Sequence, residues 1–226
     1  MLAYKNFSIA CFLSIVFLLI PSVLYSDHCE ASTNDSKTLL ILGDSLSAGY
    51  GLAQGESWVS LLQNAWKEQG IHVINAAVSG ETTDGGLARL PRLLDLHAPT
   101  HMLLELGGND GLQGHSPAKI KANLQEMIEI AQGKGVSVIL QQMQIPTNYG
   151  RRYNQMFVNN YISLAKEYDI PRIPFFLEDV ALNPDLMQRD GIHPNKSAQP
   201  IIAEFMAKHL SPYLGLNAQS SVSSGN

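Results

Sequence analysis

Residues 39–51 read "LLILGDSLSAGYG". Four aliphatic residues run without interruption into Gly43-Asp44-Ser45. A short continuous apolar run closed by glycine is the pattern of a strand buried on both faces, as in the middle of a parallel sheet. An aspartate and a serine at its end are consistent with two things. One is a tight turn that happens to contain a serine. The other is a turn that presents a reactive serine at the edge of a sheet.

Outward from this stretch, apolar runs alternate with helical patterns. Trp58, Leu61, Leu62, Ala65 and Trp66 fall at helical spacing, and Gly70 stops the helix. "IHVINAAV" (71–78) reads as a second strand. "GLARLPRLLDLH" (86–97) reads as a helix that Pro91 kinks or breaks. "HMLLELGG" (101–108) and "VSVILQQM" (136–143) read as the third and fourth strands. Between them Ile120, Leu124, Met127, Ile128 and Ala131 mark a helix ending near Gly133. Tyr153, Met156, Phe157, Tyr161 and Leu164 mark another. "IPRIPFF" (170–176), interrupted by prolines, suits an edge strand. Ala198, Ile201, Ile202, Phe205 and Met206 form the last helix. This alternation predicts an α/β fold, a parallel sheet covered on both faces, in one domain spanning about 35–214. The polar tail from 215 to 226 is expected to be disordered.

The 226 residues carry a formal net charge of −5, and their Lys and Arg are scattered. No basic stripe is present, so no nucleic-acid partner is expected. Lys5 precedes an apolar run from Phe7 to Leu24, with small residues at Ser26, Ala31 and Ser32. This is the layout of a signal peptide over residues 1–31, cleaved after Ser26 or after Ala31. The competing reading is a single membrane anchor. Pro21 and the lack of a basic flank favour cleavage, with a periplasmic or secreted product and no membrane span in its mature form. Both cysteines, Cys11 and Cys29, fall in this segment, so the domain has no internal disulfide and no cysteine nucleophile.

In open parallel sheets, function gathers at the carboxyl ends of the strands. Those ends bring together Ser45, Ser79-Gly80 and Gly107-Gly108-Asn109-Asp110, with Asp190 and His193 just before the last helix. A serine hydroxyl is a weak nucleophile until a base takes its proton. His193 is the best base available, since free imidazole titrates near neutrality. Asp190, three residues earlier with Gly191 giving the turn its freedom, can fold back onto the ring and fix its tautomer. Pro194 biases His193 toward extended backbone and is expected to open the following helix. A tetrahedral oxyanion needs donors already aimed at it. The N–H groups of Ser45 and Gly80 and the side-chain amide of Asn109 are the candidates. Each residue alone is more often structural; their coincidence at strand ends is the signal. No histidine pair has metal-ligand spacing, so no metal is expected. "GGNDG" lacks the lysine of a phosphate loop, and Ser47 departs from the G-x-S-x-G elbow.

The four blocks resemble the SGNH, or GDSL, hydrolases: Gly43-Asp44-Ser45-Leu46, Gly80, Gly108-Asn109-Asp110 and Asp190-Gly191-Ile192-His193. "GLARLP", "ELGGNDGL", "NYGRRYN" and "DGIHPN" extend the resemblance over essentially the whole mature chain. It implies a flavodoxin-like three-layer α/β/α sandwich with a five-stranded parallel sheet. Ser45 would be the nucleophile, His193 the base and Asp190 its orienter, with Ser45, Gly80 and Asn109 as the oxyanion hole. The implied substrates are acyl esters, thioesters and lysophospholipids, hydrolysed without a cofactor; a monomer is the default expectation for the chain. "GLQGHSP" (111–117) matches a loop that moves beside the acyl site in the family. Gln113 and Gln144 stand where relatives often carry basic residues, which bears on chain-length and head-group preference. Two other readings share the frame: a carbohydrate O-deacetylase, and a non-catalytic lipid- or glycan-binding module.

Overall fold

The computed structural model describes Met1 and residues 36–216. The expected signal segment up to residue 31, both cysteines, and residues 217–226 of the tail lie outside the described residues. The order is β1 (Lys37–Gly43), α1 (Ser45–Ala48), α2 (Trp58–Trp66), β2 (Ile71–Asn75), α3 (Thr83–His97), β3 (His101–Glu105), α4 (Gly108–Leu112), α5 (Pro117–Gly133), β4 (Ser137–Gln141), α6 (Arg151–Glu167), β5 (Arg172–Ile173) and α7 (Gln199–Leu210).

The strands pair in parallel in the order β2-β1-β3-β4-β5, the flavodoxin-like order. α2 packs on α7, while α3 packs on α5 and α5 on α6, which gives the two helical layers of an α/β/α sandwich. Leu39, Leu40, Ile41 and Leu42 of β1 are completely buried, as the unbroken apolar run requires. So are Ile120, Leu124, Met127, Ile128 and Ala131, the inward stripe of α5. Each such large side chain contributes about 1.5–3 kcal/mol by leaving water. The chain leaves β1 toward β2 on one side and returns to β3 on the other. A crevice therefore opens beyond the ends of β1 and β3, where Ser45 and Asn109 lie.

Several expected boundaries shift. β2 stops at Asn75 rather than Val78. Asn75 Nδ2 donates to Ser47 O at 2.8 Å and its Oδ1 accepts from Ala77 N–H at 3.1 Å, so the chain leaves regular strand geometry although Ala76 and Val78 N–H still donate to Ile41 O and Gly43 O of β1. β3 stops at Glu105 because Gly107 turns the chain at φ 109° and Gly108 opens α4. β4 is trimmed at both ends, and β5 shrinks to two residues, paired only at the sheet edge. Pro91 does not break α3, which runs through it from Thr83 to His97. Its ring sits on the exposed side, where water can satisfy the carbonyl it leaves without a donor. Pro194 does not open α7. It forms an antiparallel bridge with Met187, and Pro200 occupies the first turn of α7 instead. Leu216 packs on the core, so ordered structure extends just past residue 214.

Candidate active site

Ser45 follows directly on β1. Asp44 caps the four-residue helix α1, its Oδ1 accepting from Leu46 N–H at 3.0 Å. Its role is thus in the turn. Gly43 is required for a different reason from the sharp exit its position suggests. A Cβ there would lie 2.3 Å from Glu105 Oε2, so the glycine makes room for a buried carboxyl.

His193 and Asp190 sit on a tight excursion between residues 187 and 194. Gly191, at φ 68°, lets the chain reverse. Asp190 Oδ1 accepts from the N–H groups of Ile192 and His193, at 2.9 and 3.0 Å. Its Oδ2 accepts from His193 Nδ1 at 2.7 Å. Burial works against the Asp190 charge. The hydrogen bonds from His193 and Ile192 outweigh it and hold the carboxyl at about 2, below its ordinary value. An ionised Asp190 accepts only, so the ring proton is on Nδ1 and Nε2 is free to accept. Ser45 Oγ donates to that Nε2 at 2.8 Å. Serine, histidine and aspartate, predicted from separate segments, thus form one hydrogen-bonded chain.

The three expected oxyanion donors lie in the segments that follow β1, β2 and β3. The N–H groups of Ser45 and Gly80 donate to no described residue. Gly80 adopts φ 80°, with open space beside its Cα. Asn109 Nδ2 donates to Glu81 O at 2.9 Å and, more weakly, to Asp44 Oδ2 at 3.3 Å. Asp110, buried below it, accepts from Thr83 N–H at 2.8 Å and Thr83 Oγ–H at 2.6 Å. These bonds fix the β2–α3 loop that carries Gly80 to the start of α4.

These segments match residues 41–199 to the GDSL-like lipase/acylhydrolase family. The chain belongs to that family. This acylhydrolase is 50% identical over 175 residues to thioesterase 1/protease 1/lysophospholipase L1 of Escherichia coli K12, covering 77% of this chain and 84% of that protein. It is 48% identical over 187 residues to an arylesterase of Vibrio mimicus, covering 82% of this chain and 94% of that one. Its fold matches the psychrotrophic esterase EstA from Pseudoalteromonas sp., solved in a form inhibited by monoethylphosphonate, with a TM-score of 0.77. That pair shares 43% identity over 79% of this chain and 99% of the esterase. The acylhydrolase is therefore an enzyme of ester and thioester hydrolysis.

Other residues of the site carry no motif. The Tyr50 ring lies against the His193 imidazole, with centroids 4.4 Å apart. Gln188 Nε2 donates to Tyr50 O at 2.8 Å and Pro194 O at 3.1 Å, and Gln188 N–H donates to His193 O at 2.8 Å. It staples the histidine segment to the serine segment. Gln199, buried at the start of α7, donates to Pro194 O and accepts from Trp58 N–H. The indole N–H of Trp58 donates to Leu46 O at 3.0 Å. A glutamine between apolar residues gives little signal in a sequence. The 111–117 loop is held by Tyr149 Oη–H on Leu112 O at 2.7 Å and Tyr153 Oη–H on His115 O at 2.5 Å. Gln113 and Gln144 are both exposed.

Proposed function

We propose that this acylhydrolase cleaves acyl esters, thioesters and lysophospholipids through a covalent acyl-serine at Ser45. The observation that carries the reading is the hydrogen-bonded chain from Ser45 Oγ through His193 to Asp190, beside two unengaged backbone N–H groups. His193 Nε2 takes the hydroxyl proton as Oγ attacks the acyl carbon. Asp190 stabilises the imidazolium that results. The charge that gathers on the carbonyl oxygen meets the N–H groups of Ser45 and Gly80. The Asn109 amide adds the hydrogen it directs only loosely at Asp44. Collapse of this intermediate breaks the bond to the alcohol or thiol, which leaves with the proton from Nε2. Water then repeats the sequence on the acyl-enzyme, with His193 again as base, and frees the carboxylic acid.

Every group in this scheme comes from one chain, so a monomer acting on small substrates suffices for the reaction. The N-terminal layout supports export by a signal peptide and a periplasmic or secreted site of action. Replacing Ser45→Ala is expected to lower kcat on p-nitrophenyl acyl esters by about 10³-fold or more and to abolish labelling by a fluorophosphonate. Labelling at the parent rate would remove Ser45 from the role. A panel of acyl-CoAs, lysophospholipids, simple esters and acetylated sugars tests the substrate class. Preference for the acetylated sugars would replace the lipidic reading.

A further inference from the structure

Glu105 takes no part in the steps above, yet it closes β3 with its side chain completely buried. The register of β1 and β3 places it beside Gly43. Its Oε2 accepts from Ser47 Oγ–H at 2.6 Å and from Asp44 N–H at 3.1 Å. Oε1 is buried without a partner. Among the described residues, neither Glu105 nor Asp44 forms an ion pair with a lysine, arginine or histidine. An ionised carboxylate in this position would be strongly disfavoured, whereas a neutral acid keeps both accepted hydrogen bonds. The titratable groups around the pair are Asp110 on α4, Tyr161 on α6 and His193 ahead of α7. Burial, and then the Asp44 charge, push Glu105 well above the carboxylate range. Burial also raises Asp44, to about 6, against the hydrogen bond from Leu46. The geometry puts the charge of the pair on Asp44, whose oxygens accept from Leu46 N–H and Asn109 Nδ2, and its proton on Glu105, whose Oε1 has no donor to stabilise a charge.

We propose that Glu105 is a positioning residue whose neutral carboxyl holds the Ser45 turn against the end of β3 and, through Asp44, aims the amide of Asn109. The connection is continuous: Glu105 binds Asp44 N–H and Ser47, and Asp44 Oδ2 accepts from Asn109 Nδ2. The inference rests on the assignment of Ser45 as nucleophile and Asn109 as oxyanion donor. It requires a group of this shape without charge at position 105.

The test compares the parent enzyme with Glu105→Gln, Glu105→Leu and Ser45→Ala on p-nitrophenyl esters. Glutamine is expected to keep kcat within about threefold. Leucine is expected to lose about tenfold to a hundredfold in kcat, with KM moving less than about threefold. A second readout does not involve catalysis. The folded pair keeps a proton that the unfolded chain releases, so stability of the parent falls relative to Glu105→Gln as pH rises from 5 to 8. Urea midpoints across that range measure it, and they decide the matter if Glu105→Leu does not fold. Parallel midpoint curves, parent-like kcat in Glu105→Leu, or equal losses in the two variants would overturn the proposal. Turnover surviving in Ser45→Ala would overturn the nucleophile assignment instead.

Discussion

At the scale of single residues, the site depends on side chains whose alternatives are sterically or electrically excluded. An alanine at position 43 would press its Cβ to 2.3 Å from Glu105 Oε2. Gly43→Ala is therefore expected to destabilise the domain by about 1–3 kcal/mol, read from urea midpoints, and to lower kcat as the serine turn shifts. Asp190→Asn changes the tautomer demanded of His193. A loss of about 10⁴-fold in kcat with an unchanged circular dichroism spectrum is expected. The Asp190 carboxyl is held at about 2, below its unfolded value, so its contribution to stability is present above the unfolded value and fades as pH falls toward 2. Acid loss of activity well above that pH then belongs to another group. Ser45, Asn109, Asp190 and His193 were legible in the sequence because each occupied a strand end or a glycine turn. Glu105 was legible only as an anomaly, one acid inside the apolar run "HMLLELGG". Nothing in a linear pattern says whether such a residue faces water or the space beside a glycine two strands of sequence away.

At the scale of elements, the order and type of the five strands and five long helices followed from periodicity, whereas their ends and the short helices α1 and α4 did not. A strand's interior is set by apolar burial, which a sequence displays. Its end is set by whichever side chain captures the next backbone group, as Asn75 does after β2. Pro91 shows the same limit from the other side, since its cost in α3 depends on the exposure of that face. Two contacts between elements should tune the reaction without performing it. Gln188→Ala removes the staple between the Tyr50 and His193 segments. A fall of about tenfold in kcat is expected, with labelling by a fluorophosphonate slowed in proportion. Tyr153→Phe frees His115 O in the loop after α4. It is expected to alter KM for long acyl chains more than for acetyl esters, and a kinetic series of graded chain length checks this.

At the scale of the whole molecule, stability comes from the doubly covered sheet. Residues 36–216 contain no cysteine. Reductant is accordingly expected to leave the urea midpoint of the domain unchanged. The Asp44–Glu105 pair adds a pH slope of its own. Asp44 is raised from 3.8 to about 6, so its contribution is greatest below 3.8 and is lost as pH rises through 6. Deprotonation of a histidine base moves activity the other way, upward with pH. The pH of greatest stability is therefore expected to lie below the pH of greatest turnover, which paired measurements of urea midpoint and kcat will show.

The bond between Ser45 and His193 joins positions 148 residues apart along the chain. It closes a circuit that includes every strand after β1. The entropy of bringing such distant ends together is offset only when the intervening layers have assembled. Recovered esterase activity during refolding thus times the docking of α7 against α2. Strand pairing, followed by circular dichroism, can run ahead of it. The enzyme carries its own reporter of completed assembly.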